Sequence, residues 1–177
     1  MALAKPIRFR VVGIRHLQPK FQWLPCGPEL SPPPWKAATA EAEFVIDLQR
    51  PTQIRAIALG NAGSVFVEIW GFLQPFNPDI TTAPCESHCV LPCTQLCSIA
   101  EAKQPLFANR KLVLKPGAPT SYTPSVITKP LLSAGPFLFL IIKCAALSFL
   151  PSDDLAIKLA SYPTTVGLQS LQITGVQ

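Results

Sequence analysis

Proline constrains this chain more than any other residue. It occurs 20 times in 177 residues, roughly twice its usual share. Proline has no N–H to give to a helix or ladder, so it is kept out of helix interiors and central strands. A chain punctuated this often must hold few helices and many loops and edges. It is also 49% hydrophobic and only 14% charged, where about 25% charged is usual. Such a composition supplies a core and excludes a solvated tail. The length suits one domain, and residues 1–177 are read as one.

The charge balance is 15 basic to 10 acidic residues, a net +5, which admits an anionic partner without requiring one. Near the start, Lys5, Arg8, Arg10, Arg15 and Lys20 leave no apolar run long enough for a secretory signal. A reducing compartment follows, so the six cysteines are not read as disulfides.

Strand periodicity is clear in several places. Ile7, Phe9 and Val11 alternate with Arg8, Arg10 and Val12, predicting a strand over Ile7–Ile14. Residues 18–34 read as a Pro-rich loop. Phe44, Ile46 and Leu48 alternate with Val45, Asp47 and Gln49; Arg50-Pro51-Thr52 breaks the run, and Ile54 to Leu59 resumes it. Gly60-Asn61-Ala62-Gly63 is a turn signal, and beyond it Val65, Val67 and Ile69 alternate with Phe66, Glu68 and Trp70. The pattern predicts an antiparallel hairpin. Further strands are expected at Cys89–Leu96, Lys111–Leu114, Phe137–Leu147, Leu155–Leu159 and Leu168–Ile173. Many short strands with Gly/Pro turns predict an all-β sandwich, its carboxy-terminal half irregular. The apolar run Leu131–Leu150 is expected to be a buried strand pair or a hydrophobic insertion. Its length would just span a bilayer, but Gly135, Pro136 and Lys143 interrupt it, and a lysine near a membrane centre costs about 2.5–3.5 kcal/mol.

The run Leu59-Gly-Asn-Ala-Gly-Ser-Val-Phe-Val-Glu-Ile69, with Phe44–Gln49 before it and Gly71 after it, resembles the amino-terminal domain of the X-ray repair cross-complementing protein 1 family. Ile7–Val12 and Trp35-Lys36-Ala37-Ala38 support the likeness. It implies a jelly-roll-like antiparallel β-sandwich of the galactose-binding-domain type, without catalysis or cofactor. It further implies a nuclear scaffold of DNA single-strand break and base excision repair, docking DNA polymerase beta and nicked or gapped DNA. The polymerase-binding phenylalanine would be Phe66, and a second contact would fall at Cys89 or Val90. The chain departs from the family in its Pro-rich 18–34 segment and in Leu131–Leu150. The family's first redox-active cysteine has no match here, so its disulfide switch is absent.

On strand geometry Phe66, Glu68 and Trp70 share the face opposite Val65, Val67 and Ile69. If the valine/isoleucine face fills the core, the aromatics point outward as a binding patch. Arg8, Arg10 and Arg15, joined by Lys36, are candidate phosphate contacts. Cys85, Cys89, Cys93 and Cys97 recur every four residues, but zinc sites pair cysteines and then leave a wider gap. On a strand the four would line one side as small hydrophobes. A zinc-dependent adaptor on this run and a membrane anchor at Leu131–Leu150 are the competing readings. Neither His16 nor His88 lies in a nucleophile motif, Asp153 and Asp154 diverge on a strand, and no phosphate-cradling Gly loop occurs. An enzyme, and a small-molecule substrate with it, is therefore not expected.

Overall fold

Phe44, Ile46 and Leu48 place one apolar side chain on every second residue, and the strand they form is the longest among the described residues. In the computed structural model it is β5, Glu41–Asn61. The structure describes residues 3–18, 20–23, 35–37, 41–73, 87–98, 100–146 and 166–177. The other strands are β1 Lys5–Pro6, β2 Arg10–Gln18, β3 Lys20–Trp23, β4 Trp35–Ala37, β6 Phe66–Phe72, β7 His88–Gln95, β8 Lys111–Lys115, β9 Ser121–Tyr122, β10 Val126–Pro130, β11 Phe137–Ala145 and β12 Val166–Val176. The helical content described is a 3₁₀ turn, Glu101–Lys103, and one turn of helix, Pro105–Ala108, as the prolines predict.

β5 belongs to two sheets. Its first half pairs with β11 on one side and β2 on the other, within sheet one, ordered β7-β6-β11-β5-β2-β3 and antiparallel throughout. Its second half pairs with β12 and β8, within sheet two, ordered β9-β10-β8-β5-β12. β1 and β4 pair with opposite ends of β12, and β8 and β10 are parallel. The change of sheet falls at the predicted break. Between the pairs Asp47↔Phe139 and Thr52↔Phe137, four residues of β5 face one residue of β11. Gln49 there takes φ 68°, a left-handed conformation uncommon outside glycine. The Asp47 carboxylate accepts the Gln49 N–H at 2.7 Å, and the Gln177 amide donates to the Leu48 carbonyl at 3.1 Å.

Between the sheets lies one apolar core. Phe44, Ile46, Leu48, Val67, Ile69, Leu140 and Ile142 come from sheet one, and Ile57, Leu59, Leu112, Leu114, Ile127, Leu168, Leu171 and Ile173 from sheet two. Gly71 is required by this packing, since a Cβ there would lie 2.7 Å from the Phe137 ring.

The expected sandwich is thus present, with several corrections to its parts. The first strand begins at Arg10 and runs to Gln18, although Ile7 and Val11 are buried and Arg8 and Arg10 exposed as the alternation requires. The expected loop 18–34 gives way to β3 over Lys20–Trp23, and residues 24–34 lie outside the described residues, as does the strand expected at Leu155–Leu159. The hairpin across Gly60–Gly63 does not form. β11 lies between β6 and β5, and the turn carries the chain from sheet two to sheet one. Asn61 is fully buried there; its amide donates to the Ser64 carbonyl at 2.7 Å and accepts the Ser64 N–H at 3.1 Å. The neighbouring N–H groups of Asn61, Ala62 and Gly63 bond to the carbonyls of Arg110, Gly167 and Ala108, so every turn donor is spent on another element rather than on a hairpin.

Where Leu131–Leu150 is described, it holds a buried strand, one of its two expected readings. Phe137–Ala145 is the strand between β5 and β6, with Leu140, Ile142 and Cys144 buried at 1% exposure or less. No helix among the described residues is long and apolar enough to cross a membrane. Among the described residues of the carboxy-terminal half, β8, β10, β11 and β12 complete both sheets. Truncating Ile142 to alanine is expected to cost about 2–5 kcal/mol in urea unfolding, where a dispensable insertion would show almost no loss.

Candidate partner-docking face

The face of sheet one turned away from the core is built from residues that alternate with the core set. Antiparallel register places directly opposed residues on the same face. Trp70 stands level with Cys89 of β7 and Ile141 of β11, and Ile141 is level with Val45 of β5. This apolar row is bordered by a charged one, in which Glu68 is level with Lys143, Lys143 with Glu43, and Glu43 with Arg15. Lys143 Nζ lies 3.5 Å from Glu43 Oε1, and Glu43 is only 3% exposed. On the other side Phe72 and Phe139 stack at 5.5 Å, and Arg10 Nη2 meets Asp47 Oδ2 at 2.6 Å. Val45, Phe72 and Ile141 form a small apolar cluster of their own, with Phe139 packed against it.

Phe66, Glu68 and Trp70 therefore share the outer face, each half-buried, while Val65, Val67 and Ile69 are buried. Of the expected second contacts, Cys89 is half-buried and level with Trp70, whereas Val90 is fully buried and belongs to the core. Two register shifts between β6 and β7 put Val90 and Leu91 inside together. The same shifts undo the single-sided cysteine row: Cys89 is half-buried, Cys93 exposed and Cys97 buried beyond the strand end. Cys85 lies outside the described residues. Among the described residues no three His, Cys, Asp or Glu side chains are grouped to hold a metal ion.

The four basic candidates are not gathered. Arg8 is exposed ahead of β2. Arg10 is bound to Asp47, and Arg15 stands level with Glu43. Lys36 is on β4, level with Gly167 of sheet two. Sequence reasoning missed the β5 and β11 members of the face, Glu43, Val45, Phe139, Ile141 and Lys143. The available signal was Lys143 itself, one charge in an apolar run at a position alternating with Leu140, Ile142 and Cys144.

No family model matches the sequence, and no curated protein matches it. Solved structures do. The crystal structure of reduced XRCC1 bound to the DNA pol beta catalytic domain matches at TM-score 0.58 and 17% identity, over 96% of this chain and 97% of that one. The solution structure of the amino-terminal domain of the single-strand break repair protein XRCC1 matches at TM-score 0.54 and 16% identity, over 94% and 95%. The chain has the fold of the XRCC1 amino-terminal domain. The resemblance read from the first 71 residues thus extends, as a fold, across nearly the whole XRCC1 domain, including β8 to β12, where the residue matches are weak.

The thiols of this region are held neutral. Burial, then the charge of Glu68, pushes Cys89 up. Burial and Glu101 push Cys97 up to about 11, and burial pushes Cys144 up to about 12 against a hydrogen bond with Ser64. Only the thiolate reacts, and a thiol at about 11 is roughly one-thousandth ionised at pH 8. Native protein treated with iodoacetamide at pH 8 and mapped by peptide mass spectrometry is expected to label at Cys93 and to spare Cys97 and Cys144 until unfolded. Rapid native labelling of Cys144 would contradict the buried β11.

Proposed function

We propose that this chain is a non-catalytic scaffold module of DNA single-strand break repair that docks the catalytic domain of DNA polymerase beta. The docking surface is the outer face of sheet one, around Phe66, Glu68, Trp70 and Cys89. The observation that carries the reading is the match, over 96% of the chain, to a domain solved bound to that catalytic domain. The face supports it on its own chemistry. Half-buried aromatics beside an apolar row, bordered by paired charges, have the composition of a protein interface with a central anchor and a polar rim.

A scaffold needs no reacting groups, and burial pushes the Cys89 thiol of the face further toward its neutral form. A nuclear location follows from the repair role. The expected contact with nicked or gapped DNA has less support. Arg10 is paired with Asp47, and Arg15 and Lys36 lie on strands of different sheets, so the described residues do not bring these candidates together along one phosphate backbone.

Phe66→Ala and Trp70→Ala are each expected to weaken binding of the polymerase beta catalytic domain by about thirtyfold or more, the scale of an interface anchor. Calorimetric titration reads the affinity, and the urea midpoint reports whether the variants stay folded. Unchanged affinity in a folded Phe66→Ala/Trp70→Ala double variant would remove the assignment.

A further inference from the structure

Beyond the end of β7 the chain makes a polar cleft of about 520 Å³, whose lining includes Gln95, Cys97, Glu101, Arg110, Tyr122 and Lys129. Arg110 forms its floor. Its side chain is 10% exposed, and two of its donors hold the surrounding loops: Nε donates to the Pro124 carbonyl at 3.1 Å and Nη1 to the Leu96 carbonyl. The guanidinium also lies over the Phe107 ring at 5.0 Å. A guanidinium carries five N–H donors. Among the described residues Nη2 meets only Glu101 Oε2, at 3.8 Å, too long for a hydrogen bond. A buried, fixed cation thus lines an open cleft with donors to spare. At the rim Lys129 Nζ sits 5.4 Å from the centre of the exposed Tyr122 ring.

We propose that this cleft binds an acidic peptide segment of a partner, with Arg110 receiving a carboxylate, Lys129 adding charge at the rim and Tyr122 flanking the chain. Two charged donors face one acid, so the cleft is net positive, and the planar guanidinium fork suits a carboxylate. Glu101 disfavours a dianionic phosphate more than a monoanionic carboxylate. The volume falls in the range of sites that enclose a ligand of many atoms rather than a lone anion. Cys97, neutral through burial, sets no opposing charge in the cleft. Arg110, Lys129 and Tyr122 lie off the sheet-one face, which the cleft adjoins at Gln95, level with Phe66.

The test titrates fluorescein-labelled hexaglutamate into the full chain by fluorescence anisotropy, with hexalysine and inorganic phosphate as the other probes. Saturable binding of hexaglutamate is expected, with none of hexalysine and no displacement by equimolar phosphate. Arg110→Lys should abolish binding. Because Arg110 also holds two loops, Lys129→Gln and Gln95→Glu test the site at its rim. Each should weaken binding by roughly fivefold or more without moving the urea midpoint. Lys115→Gln, which removes the same charge from an exposed position outside the cleft, should leave binding unchanged. Absence of hexaglutamate binding would overturn the proposal. So would equal losses in Lys115→Gln and Lys129→Gln, which would mean only general attraction to a basic chain, and so would displacement by equimolar phosphate, which would mean a free-anion site.

Discussion

The fold depends on a single strand changing sheets without ending. β5 crosses from sheet one to sheet two at Gln49–Thr52, and both sheets are assembled on it. The local conformation is uncommon for a non-glycine residue, and it is held by bonds from three directions. The Asp47 carboxylate takes the Gln49 N–H, Thr52 Oγ1 donates to the Arg50 carbonyl, and the carboxy-terminal Gln177 amide reaches the Leu48 carbonyl and Thr52 Oγ1. Pro51 suits this stretch, because the corner leaves the ladder and needs no donor there. Asp47 then has two tasks, pinning the corner through one oxygen and pairing Arg10 through the other.

From that strand the outer face of sheet one follows. β11 is laid along the first half of β5 with Lys143 opposite Glu43, so the one charge in an apolar strand is spent on a nearly buried carboxylate. Removing either partner would leave a charge poorly compensated, and this ties the face's electrostatics to the register of its strands. Within the apolar row between the ion pairs, Val45 and Ile141 are themselves buried, so half-buried Trp70 is the part left exposed. The core beneath this face comes from both sheets.

Much of the fold was legible in the residues, and the errors have a common cause. Period-two alternation told inside from outside correctly for Val65–Ile69 and Ile7–Val11, whereas Phe44–Leu48 is buried on both faces. Alternation carried no information about which strand lies next to which. The Gly60–Gly63 turn therefore read as a hairpin, whereas the buried Asn61 makes it a crossing between sheets. Leu131–Leu150 could be read as a buried strand pair or as surplus, because a central strand covered on both faces loses its alternation. Val90, which the family resemblance offered as the alternative to Cys89, is buried through the register shifts between β6 and β7, which spacing does not reveal. Of the candidate site, Phe66, Glu68 and Trp70 could be read from one strand, while their neighbours on β5 and β11 required knowing that β11 is inserted between them.

The central claim is that the outer face of sheet one, and not sheet two, meets the polymerase. The most direct measurement is a backbone amide NMR titration of the labelled chain with unlabelled polymerase beta catalytic domain. The account predicts shifts and broadening concentrated on β6, the start of β7 and the Lys143 region of β11, with β8, β10 and β12 unmoved. Perturbations confined to sheet two, or none at saturating polymerase, would contradict it.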